Sequence, residues 1–143
     1  MTDLEKLIHR FRRTLLDASQ TYIFTECTPS VKEAWRNRLP TALDVDKLLI
    51  VSFANDRFWT AIHCDEVIWA DDNGLKHVQL AELDSAEISL AKNNELGFVP
   101  GAGLRWVTLK TKAGENLNIK LESGSVAEAC LGAIKGLLQL RSN

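Results

Sequence analysis

Apolar residues recur at helical spacing in the first part of the chain. The positions of the first stripe share one face of a predicted amphipathic helix and are Leu4, Leu7, Ile8, Phe11, Leu15 and Ala18. Thr2 and Glu5 have the spacing of a capping box at the start of this helix. Thr28 followed by Pro29 supplies an N-cap and a first helical residue. A second helix is therefore predicted from this point to about Leu39.

From Lys47 onward the apolar pattern changes to the two-residue period of β-strands, in short runs separated by turn residues. Seven strands are predicted in this part of the chain, at residues 47–54, 58–64, 67–70, 75–80, 85–92, 104–111 and 117–121. The segment Asp71-Asp72-Asn73-Gly74 is the strongest hairpin turn, because Asn and Gly both tolerate positive φ. Short strands at regular spacing are typical of an antiparallel sandwich or barrel.

The last apolar stripe predicts a C-terminal helix from Val126 to about Leu140. Gly132 and Gly136 lie on this helix at the spacing of a close-packing motif. We expect the two glycines to let the helix backbone lie close to the sheet.

Together these elements predict a single α+β domain, residues 1–143. Its core, residues 47–140, is expected to be a seven-stranded antiparallel bent sandwich or barrel with a C-terminal capping helix. Two N-terminal helices form an extension, residues 1–40. The pattern leaves open whether residues 1–46 pack on the sheet or act separately.

Composition and charge narrow the class of protein. The chain has 143 residues, of which 45% are hydrophobic and 25% charged, so it can bury a core without disulfides or metal. A formal net charge of −2 gives no electrostatic reason to expect nucleic acid. Asp3 and Glu5 break up any apolar leader, and no apolar run is long enough to cross a bilayer. A soluble, cytoplasmic protein without a transmembrane segment is expected.

The candidate chemical groups are few. His63-Cys64-Asp65-Glu66 is the one local cluster of ligand-type residues, but on a strand His63 and Asp65 share one face while Cys64 and Glu66 share the other. Two ligands on each face are too few for zinc. We therefore predict no metal, no cofactor and no catalytic residues.

The three cysteines, Cys27, Cys64 and Cys130, are scattered and odd in number, which favours reduced thiols over a disulfide framework. None of them has a recognisable nucleophile signature, and we interpret them as small, mostly buried hydrophobic residues. No phosphate-binding loop or dinucleotide fingerprint is present. The chain is predicted not to be an enzyme.

The order of elements, seven short antiparallel strands and then one amphipathic helix, resembles that of pleckstrin-homology-like domains. The resemblance covers Lys47 to Leu140 and is carried by Phe58-Trp59-Thr60-Ala61-Ile62, by Val67-Ile68-Trp69 and by the helix from Val126. It implies a fold in which the helix plugs one end of a bent sandwich. This fold serves lipid, peptide and protein binding alike, so it does not by itself imply one function.

Phosphoinositide-binding members of that family place several basic residues around their first hairpin. Here the hairpin offers Lys47 and Arg57, but Asp56, Asp65 and Glu66 lie beside them. The local charge is therefore mixed, and we predict that binding to phosphoinositide headgroups is absent or nonspecific.

The loop at residues 93–103 is the predicted interaction segment, since a loop of this length is uncommon unless it is functional or mobile. Phe98 and Val99 form its apolar tip and, with Arg57, are the candidate partner-binding residues. The alternative is that Phe98 folds back to cover the end of the barrel. The sequence thus predicts a protein- or peptide-binding module that pairs with another polypeptide or with a second copy in a homodimer. The alternative function is a domain that binds a small apolar ligand or lipid.

Overall fold

The computed structural model describes residues 2–15, 20–89, 106–122 and 125–142. Three helices lie in these ranges: α1 (Asp3–Thr14), α2 (Pro29–Arg38) and α3 (Val126–Ser142). The strands are β1 (Thr21–Ile23), β2 (Leu48–Phe53), β3 (Trp59–His63), β4 (Glu66–Asp71), β5 (Gly74–Gln79), β6 (Leu83–Ile88), β7 (Trp106–Thr111) and β8 (Asn116–Lys120). None of the helices in the described ranges combines the length and the hydropathy needed to span a bilayer.

The strands form two antiparallel sheets, one in the order β1-β2-β3-β4-β5 and the other in the order β6-β7-β8. The predicted α+β class, the antiparallel pairing and the C-terminal helix are confirmed. The prediction of seven strands in one bent sheet is corrected in two respects. β1 adds an eighth strand to the described chain, and a 3-10 turn at Leu80–Glu82 separates β5 from β6, so that the chain leaves the first sheet instead of making another hairpin.

Local signals at the helix starts are confirmed in detail. The Thr2 hydroxyl accepts a hydrogen bond from the Glu5 backbone N–H, and the Glu5 carboxylate accepts one from the Thr2 backbone N–H. At α2 the Thr28 hydroxyl accepts from the Val31 backbone N–H, with Pro29 at the first turn. These side chains satisfy donors that a helix N-terminus leaves without intrahelical partners.

The main core lies between the two sheets and is closed by α1 and α3. The first sheet contributes Ile50 and Ile62, the second contributes Leu109 and Ile119, and α3 contributes Ile134, all of them almost fully buried. Leu7 and Phe11 of α1 join this core.

A second core lies on the other face of the five-stranded sheet, beneath α2. Trp35 of α2 packs there with Val51, Ala61 and Ile68, which alternate with the inward-facing residues along their strands. The central strands are therefore buried on both faces, and every residue of β3 is buried. The described residues of the N-terminal segment thus pack on the sheets and on α3.

Gly136 marks the contact between α1 and α3. A Cβ atom at Gly136 would lie 2.8 Å from Leu7 Cδ1 and 3.3 Å from Leu7 Cγ. The expectation that this glycine lets α3 approach the sheet is wrong, because the close neighbour is the side chain of another helix. Gly132, one turn earlier, has no neighbouring atom within 4 Å of such a Cβ.

We expect the two glycines to respond oppositely to substitution. Gly136→Leu should lower the free energy of unfolding by roughly 1 to 3 kcal/mol, because the added side chain overpacks the Leu7 contact. Gly132→Ala should raise it by up to about 1 kcal/mol, since alanine favours helix and meets open space. Urea denaturation of both variants measures the difference, and a neutral Gly136→Leu would contradict the close packing of α1 on α3.

Candidate functional site

An open groove lies between α1 and the start of the five-stranded sheet. Its volume is about 640 Å³. We call it the α1–β1 groove. Its lining comes from α1, from β1 and the 3-10 turn that follows it, and from the residues around the start of β2: Thr2, Leu4, Glu5, Ile8, His9, Arg12, Ile23, Thr25, Glu26, Asp46, Leu48 and Leu49.

Apolar side chains in this groove remain partly exposed. Leu4 and Ile8 are one helical turn apart on α1, beside the stripe of Leu7 and Phe11 that faces α3. From the sheet side, Ile23 and Leu49 are also only partly buried. The groove therefore offers an apolar surface that the described fold does not cover.

An irregularity in β2 helps to shape the groove. The pairing register of β2 with β3 shifts between Leu48 and Ile50, and such shifts re-aim side chains relative to a regular strand. Leu48 and Leu49 both line the groove, but Leu48 belongs to the core beneath α2, whereas Leu49 packs against the main core.

Charged residues surround the apolar part of the groove. Glu5, Glu26 and Asp46 supply carboxylates, and Arg12 supplies a guanidinium that forms an ion pair with Glu26 across the groove. Three carboxylates against one guanidinium leave the rim with a net negative charge.

A polar network holds β1 in place beside the groove. The Glu122 carboxylate accepts hydrogen bonds from the Gln20 backbone N–H, at 2.9 and 3.0 Å to its two oxygens, and from the Thr21 hydroxyl at 2.8 Å. The Thr21 and Ser52 hydroxyls are 2.9 Å apart. These bonds connect β1, β2 and the segment before α3. Because Thr21 and Ser52 are buried, the contact between their hydroxyls is shielded from water, whereas the Gln20 hydrogen bond is exposed.

In the predicted cluster of ligand-type residues, His63-Cys64-Asp65-Glu66, the histidine forms hydrogen bonds with the backbone. His63 is buried, and its Nδ1 accepts a hydrogen bond of 3.1 Å from the Asp65 backbone N–H. A backbone N–H can only donate, so Nε2 carries the proton and donates to the Asp44 carbonyl oxygen at 2.9 Å. Both ring nitrogens are therefore engaged by the backbone. Within the described ranges no group of three or more His, Cys, Asp and Glu side chains is placed to hold a metal ion.

The thiols are poor nucleophiles in this structure. Burial, reinforced by the negative charge of Glu122, raises the pKa of the Cys130 thiol to about 12. Partial burial also raises the pKa of Cys27 and, together with Asp65, that of Cys64. All three are free cysteines, and the reactive thiolate form is disfavoured at each one.

Arg57, the one candidate partner-binding residue that the structure describes, is not brought to the groove. Arg57 lies in the turn between β2 and β3, where its guanidinium is 3.8 Å from the Asp72 carboxylate. The six-residue strand β2 spans about 20 Å and separates this turn from the groove. Phe98 and Val99 lie outside the described residues, so the loop hypothesis stays a prediction.

The sequence pattern did not identify the groove: it placed Leu4 and Ile8 on a helix stripe and Leu48 and Leu49 in a strand, and it assigned no binding role to them. One signal was available in α1, whose apolar stripe includes Leu4 and Ile8 in addition to the pair that faces α3. No such signal existed for Ile23, because β1 has only three residues.

The fold and the groove together define the class of this chain as an α+β protein with two antiparallel sheets, two N-terminal helices packed on them and an open apolar groove. Comparison with protein-family models, with curated proteins and with solved structures gave no match.

Proposed function

We propose that this chain is a non-enzymatic protein- or peptide-binding module, with a pleckstrin-homology-like arrangement of its strands, and that the α1–β1 groove receives apolar side chains of the partner. The observation that carries this proposal is the set of partly exposed aliphatic residues around the groove, Leu4, Ile8, Ile23 and Leu49. Buried apolar anchors in pockets supply most of the affinity in such complexes.

The size of the groove supports the proposal. Its volume of about 640 Å³ lies in the range of sites that hold a ligand or a few side chains. One wall is a helix and the other is the edge of a sheet, which is the kind of surface that receives an amphipathic segment.

A domain that binds a small apolar ligand or lipid is the second candidate. That function would use a cavity inside the curved sheet, whereas the space between the two sheets is filled by side chains such as Ile50, Leu109 and Ile134 in the described residues. The groove is outside the sheets, and charged side chains line its rim. Native mass spectrometry separates the two candidates: a co-purifying polypeptide supports the first and a retained small molecule the second.

We expect Ile8→Gln to weaken partner binding by at least about tenfold, because burying an isoleucine side chain contributes roughly 1.5 to 3 kcal/mol. Glutamine favours helix nearly as well as other long side chains, so the melting temperature should change by only a few degrees. The measurement is recovery of the co-purifying polypeptide by affinity pull-down, with a thermal melt of each variant.

Leu75→Gln is the matched control. Leu75 is an exposed large hydrophobic residue, 50% accessible, on the edge strand β5 and away from the groove. This variant should keep full binding. Equal losses in the two variants, or no loss in Ile8→Gln, would show that the groove is not the binding site.

A further inference from the structure

The charged rim of the α1–β1 groove narrows the class of partner. We infer that the groove binds a basic amphipathic segment of another polypeptide, in which apolar side chains enter the groove and Lys or Arg side chains contact the rim. This inference rests on the proposed function and specifies its ligand.

Among the described residues, neighbouring cations cancel only part of the negative charge of the rim. Arg12 is engaged with Glu26, which leaves the charges of Glu5 and Asp46. Asp46 is exposed and makes no ion pair with any residue that the structure describes. The adjacent Lys47 extends instead to Asp65, at 3.7 Å.

Glu5 keeps an acceptor available. Its Oε2 accepts the Thr2 backbone N–H in the capping box, and a carboxylate has further lone pairs for a cationic donor. Glu5 and Asp46 line opposite sides of the groove, one on α1 and the other just before β2. A segment seated between them thus meets carboxylates on both sides.

Apolar and charged contacts have separate roles in this arrangement. The apolar residues supply affinity, while the rim charges determine specificity for the partner and increase the rate of association. Each exposed rim pair changes affinity only severalfold, and salt weakens it because the charges face solvent. Discrimination between a basic and an acidic segment adds two effects, attraction of the first and repulsion of the second.

A second copy of this chain fits the groove less well than a different polypeptide. Both α1 and α2 carry several basic residues, but their buried apolar residues, Leu7 and Phe11 of α1 and Trp35 of α2, already pack inside the fold. The chain also carries a net charge of −2. The partner that we infer is therefore a different polypeptide with a basic segment.

The test uses two synthetic amphipathic peptides of equal length with identical leucine positions, one with lysine and the other with glutamate at every polar position. Fluorescence anisotropy with the full chain should show at least about tenfold tighter binding of the lysine peptide at low salt. Raising the salt concentration should reduce this difference. Ile8→Gln should weaken binding of the lysine peptide.

Charge reversal on the rim is the decisive variant. Asp46→Lys should lower the affinity for the lysine peptide severalfold and raise the affinity for the glutamate peptide. Asp56→Lys makes the same change in net charge in the β2–β3 turn and should leave both affinities close to those of the wild type. The comparison separates a local effect of the rim from the overall charge of the protein.

The possible failures are distinguishable. If both peptides bind equally and both are weakened by Ile8→Gln, the inference of a basic partner is overturned while the groove remains a binding site. If Asp46→Lys and Asp56→Lys act alike, the inference is likewise overturned. If neither peptide responds to Ile8→Gln, the proposed function fails and the inference with it. A dimer in analytical ultracentrifugation that Ile8→Gln dissociates would replace the basic partner with a second copy.

Discussion

Trp35→Ala is expected to lower the free energy of unfolding by about 3 to 5 kcal/mol, the range measured for large aromatic side chains removed from a core. Trp35 is only 2% exposed and is the residue of α2 that is buried in the core on the five-stranded sheet. Its ring meets that of Trp59 edge to face, with centroids 5.5 Å apart and an interplanar angle of 86°. Such a loss is a large fraction of the stability of a typical domain.

Urea denaturation with far-ultraviolet circular dichroism measures this effect. Glu33→Ala on the same helix is the control, since Glu33 is exposed and forms a 4.0 Å ion pair with Arg36, which contributes little to stability. A loss below about 1 kcal/mol for Trp35→Ala would contradict the second core beneath α2.

Glu122→Ala is expected to lower the free energy of unfolding by about 3 kcal/mol. The carboxylate accepts hydrogen bonds from the Gln20 backbone N–H and the buried Thr21 hydroxyl, and hydrogen bonds to a charged acceptor each contribute roughly 1.5 to 3 kcal/mol. Alanine leaves these donors without their acceptor. Because β1 has only three residues, its backbone amides should also exchange with solvent faster.

Hydrogen exchange followed by NMR, together with urea denaturation, tests both parts of this prediction. Glu87→Ala is the control: Glu87 is an exposed residue of β6 that forms an ion pair of 3.3 Å with Lys110, and it should change stability by less than about 1 kcal/mol. Similar effects for the two substitutions would show that Glu122 does not hold β1 on the sheet.

Elements whose signals are local were predicted well. The capping box at Thr2, the Thr28-Pro29 start of α2 and the turn before Gly74 all occur where the sequence places them. Gly74 has φ of +103°, a conformation that glycine adopts without the steric cost of a Cβ atom. Strand positions were also recovered closely, because apolar alternation depends only on which residues face a core.

The placement of elements that depend on distant partners was not predicted. β1 has too few residues to show a period, and its place in the sheet comes from pairing with β2 and from hydrogen bonds to Glu122, about 100 positions away. The role of Gly136 was misassigned for the same reason, since its close neighbour Leu7 lies at the other end of the chain.

The sequence by itself determined the α+β class and most helix and strand positions, because periodicity and capping act within a few residues and composition acts over the whole chain. The tertiary structure decided how the strands divide into two sheets, where the N-terminal helices pack and where a groove remains. A groove exists only where α1, β1 and the start of β2 approach without filling the space between them. That depends on side-chain volumes and directions from separate segments, and no single stretch of sequence contains this information.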